Sequence, residues 1–132
     1  MANYLEGAIR DRLTTDDGVA AIVGAKVYRR VLPQGVTLPA IAIWMDGKRR
    51  EHLMGGDSNK VPASLFVSCW ADDDPGVQDL AAAVQSALQN YSGTHLSIVI
   101  DRSFLEDEYG DMEEQTRRQQ VIQRYTVWYT EA

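Results

Sequence analysis

Apolar residues recur at three- and four-residue spacing near the start of the chain, and at two-residue spacing further on. Tyr4, Leu5, Ala8, Ile9 and Leu13 form one stripe, which predicts an amphipathic helix over residues 3–14. Glu6, Arg10 and Arg12 take its outer side, and Asn3 with Glu6 reads as a capping box. Gly7 weakens this helix by about 1 kcal/mol relative to alanine, or marks a close approach of another backbone. Asp16 or Asp17 caps a second, short helix carrying Val19, Ala20, Ile22 and Val23. Gly24 supplies its C-terminal stop.

The period then becomes two. Lys26–Leu32 is β-rich and is broken by Pro33-Gln34-Gly35. Ala40–Met45 places Ile41, Ile43 and Met45 on one face, Ala42 and Trp44 on the other. Ala63–Ala71 alternates Leu65, Val67 and Cys69 with Phe66, Ser68 and Trp70. A long polar connection, residues 46–62, separates these two strands, and loops of that length are functional or mobile. Asp72-Asp73-Asp74-Pro75 opens the main helix. Its stripe is Val77, Leu80, Ala81, Val84, Ala87, Leu88 and Tyr91, and its length is about 17 residues, roughly 25 Å. Leu96–Ile100 is a strand that continues irregularly through Phe104 and Leu105, before an acidic stretch from Glu106 to Glu114. Arg117–Thr130 is a long last strand. Val121, Gln123, Tyr125, Val127 and Tyr129 line one face; Ile122, Arg124, Thr126 and Trp128 line the other. The order α-α-β-β-β-α-β-β predicts an α+β fold. Its mainly antiparallel sheet has about five strands, with one long and two short helices packed on it.

Composition narrows the classes. The 132 residues suit one domain, and 45% apolar with 24% charged residues is a globular balance. Apolar runs fall well short of the ~20 residues of a membrane span. The first residues meet an acid before any apolar stretch, unlike a secretory signal. Cys69 is the lone cysteine, so no internal disulfide forms and a reducing compartment is the simplest expectation. A net charge of −6 argues against non-specific nucleic-acid binding.

Catalytic signals are weak. His52, His95 and Cys69 could supply a thiol–imidazole pair. Cys69 in an apolar strand reads better as a small buried side chain, and both histidines occupy positions that are ordinarily solvated. Cysteine and histidine spacing suits no zinc site. Glu106, Asp107 and Glu108 offer carboxylates, yet consecutive side chains of an extended segment point to alternate faces. No phosphate-binding glycine motif or nucleophile elbow occurs. The run Lys48-Arg49-Arg50 is either a solvated loop tip or a contact for an acidic protein surface.

Several segments in order resemble one family. Val23-Gly24-Ala25-Lys26-Val27-Tyr28 leads into Val31-Leu32-Pro33-Gln34-Gly35 and Leu38-Pro39-Ala40-Ile41. Cys69-Trp70-Ala71 precedes the alanine-rich helix. Phe104-Leu105-Glu106-Asp107-Glu108 and Tyr125-Thr126-Val127-Trp128-Tyr129 follow. Together they resemble the tail completion, or tail-to-head joining, proteins of long-tailed bacteriophages, over essentially the whole of residues 1–132. The resemblance implies a single tail terminator-like domain and a structural role in the virion, at the tail–neck junction, for a protein made in the host cytoplasm. The implied assembly is a homohexameric ring on the head-proximal end of the tail tube. Such a ring ends tube growth and contacts the major tail tube protein and a head–neck connector. It implies no enzyme, cofactor, metal, membrane or specific nucleic-acid partner, although DNA passes through the ring.

Two segments are candidates for that work. The loop from Lys48 to Lys60 carries Lys48, Arg49, Arg50, Leu53 and Met54 as a partner-docking set, expected to order only on docking. Glu106, Asp107, Glu108, Asp111, Glu113 and Glu114 are candidates for an acidic hairpin by the channel, where like charge repels DNA. A solvated turn is the plain alternative for the second segment, and a disordered loop without a partner for the first. Two other functions compete: a head-completion or neck connector protein, and a small ligand-binding or enzymatic domain using Cys69 and a histidine.

Overall fold

The computed structural model describes residues 5–48, 52–53, 56–57, 60–96, 98–112 and 118–130. Helix α1 spans Leu5–Thr15 and buries Leu5, Ala8, Ile9 and Leu13, the predicted stripe. The proposed cap Asn3, with Tyr4, lies outside the described residues. Asp16 caps α2, Asp17–Val23, its carboxylate accepting from Val19 N at 3.1 Å. Gly24 closes α2 at φ +61°, in the half of φ space that side chains with a Cβ avoid. Asp73 caps α3, Asp74–Leu88, by accepting from Gly76 N at 2.7 Å, with Pro75 in the first turn. Its buried residues are Val77, Leu80, Ala81, Val84, Ala87 and Leu88. Tyr91 lies beyond the helix and is half-buried against the core.

The strands are β1 Val27–Arg29, β2 Ala40–Lys48, β3 His52–Leu53, β4 Gly56–Asp57, β5 Lys60–Ala71, β6 Gly93–His95, β7 Ile98–Met112 and β8 Gln119–Thr130. Six form one sheet in the order β1-β2-β5-β8-β7-β6. All neighbours are antiparallel except β1 and β2, which run parallel, so the half-barrel sheet is mixed. It has one strand more than the expected five. The helices pack on one face, and Ile41, Ile43, Leu65, Val67, Val121, Tyr125 and Val127 join the helical stripes in one buried cluster.

Four local expectations are corrected. Glu6 is not on an outer face: it is buried and paired with Arg29 at 2.7 Å. Residues 52–53 and 56–57 pair as a small two-stranded ribbon, β3 with β4, where a structureless loop was expected. β5 begins at Lys60 and runs through Pro62, which faces Trp128 on β8. Pairing of β5 with β2 starts only at Ala63 opposite Lys48, so the missing N–H of Pro62 interrupts no ladder on that side. The acidic stretch is strand through Met112, not a turn, because each residue from Asp107 to Met112 is held in register with β8.

Truncating the centre of α3 tests this packing. Leu80→Ala should cost about 2–5 kcal/mol in denaturant unfolding, the range for a buried leucine. Gly7→Ala should instead stabilise by about 0.5–1 kcal/mol. Among the described residues a Cβ at Gly7 meets only Leu96 Cδ1, at an ordinary 3.7 Å, so no close described backbone explains the glycine.

Candidate interaction surface

The sheet has two unlike faces because its strands alternate. Toward the helices point Ile41, Ile43, Leu65, Val67, Cys69, Val121, Tyr125 and Val127, all buried. Away from them point Trp44 on β2, Phe66 and Trp70 on β5, Trp128 on β8 and Phe104, which faces Thr126, on β7. The chain has three tryptophans and two phenylalanines, so every one of them lies on the face without helices. All five are half-buried. Trp44 and Phe66 stack at 5.3 Å with rings 5° from parallel.

Part of this face is concave. A cavity of about 310 Å³ is walled by Trp44 and Trp70, with the small residues Ala42 and Ser68 as its floor. Arg30, Val31 and Leu32 flank it on one side, Arg118 and Gln120 on another. Gln120 Nε2 donates to Ser68 Oγ at 2.6 Å. Arg30 takes φ +73° and donates its N–H to Ile43 O at 2.7 Å, which turns the chain off the sheet edge. Val31 follows, 74% exposed.

The candidate acids do not share a face. Glu106 sits at a register shift between Leu105 and Asp107. Asp107 pairs with Arg124 at 2.7 Å on the open face. Glu108 points to the helix side, where its Oε2 accepts from Gln123 Nε2 at 2.7 Å. Gln123 Nε2 also donates to Ala81 O at 3.0 Å, and Tyr125 donates to Gln123 Oε1 at 2.7 Å, satisfying a polar side chain inside the core. Asp111 lies on β7 opposite Gln120, while Glu113 and Glu114 lie outside the described residues. Of the docking set, Lys48 ends β2 and Leu53 belongs to β3. Arg49, Arg50 and Met54 lie outside the described residues.

The thiol and the histidine have structural surroundings. Cys69 is fully buried, and burial first, then the nearby Glu108 charge, push its thiol well above its usual range. Burial likewise raises the Tyr125 hydroxyl, with Cys69 and Glu108 adding to the effect. A thiol held protonated is a poor nucleophile. His95 is not solvated, as its position had suggested: its side chain is 13% exposed and lies on β6. Its Nδ1 lies 2.6 Å from Asp11 Oδ2, and its Nε2 2.5 Å from the Tyr91 hydroxyl. The carboxylate only accepts, so Nδ1 donates to it. Arg12 stacks over the Tyr91 ring at 4.0 Å and donates to Ala87 O at 3.1 Å. This set ties α1 to the end of α3 and to β6. Asp11 and His95 stand 84 residues apart, so no local sequence pattern announces it.

Comparison with known proteins places this fold. The profile of the family described as tail completion protein gp17 matches residues 7–130. The chain belongs to that tail completion family. It is therefore a phage tail structural protein, and a virion component. No curated protein matches the chain. Among solved structures, a chain from a virion of a native gene transfer agent particle superposes with a TM-score of 0.77 at 17% identity. That match covers 96% of this chain and 94% of the other. At that identity the likeness concerns the fold. The described part of this tail completion protein contains no helix long and apolar enough to cross a membrane. Nor do its described histidine, cysteine and carboxylate side chains gather in threes at a metal-binding spacing.

The burial of Cys69 makes a direct prediction. In the native protein it should resist alkylation by iodoacetamide at mildly alkaline pH and react only on unfolding, as read by mass spectrometry. Rapid native labelling would contradict the placement of β5.

Proposed function

We infer that this tail completion protein acts as a non-enzymatic ring at the head-proximal end of the tail tube. There it stops tube growth and offers a surface for the head's neck. Family membership over residues 7–130 carries the reading. A six-fold tube calls for six copies, and a closed ring of identical chains needs a head-to-tail interface, with two different surfaces on each subunit. The half-buried aromatic face supports this, since large aromatics anchor interfaces. In this reading residues 1–132 work as one unit. Its partners are further copies of the chain, the major tail tube protein and a head–neck connector, and it works without cofactor or metal.

The candidate segments take parts in the same proposal. The connection from Lys48 to Lys60 docks on the tube or an adjacent subunit, with charge setting orientation and Leu53 and Met54 supplying apolar contact. Asp107 and Glu108 already bond within the subunit and Glu106 sits at the β7 register shift, which leaves Asp111, Glu113 and Glu114 as the acids to border the DNA channel. Like charge there lets DNA slide without adhering.

Genetic complementation tests this. In a phage or prophage lacking the gene, the intact protein should restore normal particles. A variant lacking Arg49 through Gly56 should fold, since surface loops contribute little to stability. It should nevertheless yield over-long tails or tails unjoined to heads by electron microscopy. Tails of normal length that fail to join would place the loop at the neck; normal infectious particles would remove its docking role.

A further inference from the structure

The sheet carries two open edges on opposite sides, and they differ in chemistry. On one side β1 covers β2 only from Ile41 to Ile43, so the outer edge of β2 from Trp44 onward has no strand beside it among the described residues. Arg30 and Val31 stand at that edge, next to the tryptophan-walled cavity. On the other side β6 covers β7 only from Ile98 to Ile100. The end of α3 then shields the edge: Asn90 N donates to Ser103 O at 2.8 Å, and Leu105 N donates to Gln89 Oε1 at 2.7 Å. From Glu106 to Met112 the edge of β7 away from β8 has no described strand beside it. There Glu106, Asp107 and Glu108 are exposed, and Tyr109, on the open face opposite Ile122, is 53% exposed.

We propose that the acidic edge of β7, anchored by Tyr109, docks against the β2 edge and the Trp44–Trp70 cavity of a second copy of this chain. Resting on the ring reading above, the proposal identifies its subunit interface. Charge complementarity selects the occupant. The cavity is rimmed by arginines in a chain of net charge −6, and the acidic, aromatic-bearing edge that suits it belongs to the same chain. Strand addition at a sheet edge uses main-chain hydrogen bonds for affinity and side-chain pockets for specificity. Tyr109 would enter the tryptophan-walled cavity, and Glu106 would face Arg30. The two edges lie at opposite sides of one sheet, so a subunit cannot dock its own β7 into its own cavity. Made once with each neighbour, the contact is head-to-tail, the kind that closes into a ring. Acidic side chains on β7 have a second effect: they discourage pairing with any edge that lacks cations.

Two exposed substitutions test this with the full chain. Val31→Glu blocks the cavity side and Tyr109→Lys blocks the β7 side. Sedimentation and native mass spectrometry should show rings for the wild type and monomers for each variant. Mixed together, the two variants should form a 1:1 pair and nothing larger, because each keeps one working surface. Circular dichroism melts should match the wild type. If either variant melts early, Arg30→Glu and Glu106→Arg serve instead: each alone should stay monomeric, and the double variant should recover rings. Rings from V31E or Y109K overturn the proposed interface and leave the ring reading standing. Monomeric variants that do not pair on mixing also overturn the interface. A wild-type protein that stays monomeric at the highest attainable concentration overturns the ring reading and the interface with it.

Discussion

The structure depends on the register of β8. Every residue from Gln119 to Thr130 faces a residue of β5, and β7 flanks the opposite side along nearly the same length. A slip of one residue would turn Val121, Tyr125 and Val127 to the open face and bring Arg124 under α3. Hydrophobic alternation opposes such a slip, and so does Gln123. Its amide is buried and satisfied by Ala81 O, Glu108 and the Tyr125 hydroxyl, an arrangement available in one register alone. Once β8 is fixed, β5 and β7 follow, and α3 has one apolar bed on which to lie.

That arrangement gives the protein its asymmetry. The three helices cover one face with aliphatic side chains, and their stripes leave nothing for the second face. The second face nevertheless carries the whole stock of tryptophan and phenylalanine. Mutual packing, as in the Trp44–Phe66 stack, hides part of that surface within one chain. Half-buried aromatics on a sheet face without helices suit a protein that completes itself by assembly, and the tail completion family supplies that setting.

The strongest sequence signals were those with many repeats of one period. The α3 stripe matched from Val77 to Leu88, with Tyr91 falling beyond the helix end, and the β8 alternation matched residue by residue, since each element buries one face along its whole length. Elements decided by distant partners were less legible. Glu6 follows the helical period of an exposed position, yet Arg29 draws it inward as an ion pair. β6 is three residues long and gains its strand character from β7, too short a run to show a period. The acids of β7 have low strand propensity, and the ladder with β8 overrides it. The candidate surface was half visible: alternation placed Trp44, Trp70 and Trp128 on the faces opposite Ile43, Cys69 and Val127. That those faces are one surface depends on strand order, which the sequence pattern does not contain.

The account's central claim is a position in the particle: a ring of this chain between tail tube and head. Electron microscopy of purified virions labelled with antibody against this protein tests it most directly. Label should be confined to the head-proximal end of the tail, with a six-fold ring at that level in an averaged map. Label spread along the tube, or gathered at the distal tip, would contradict it.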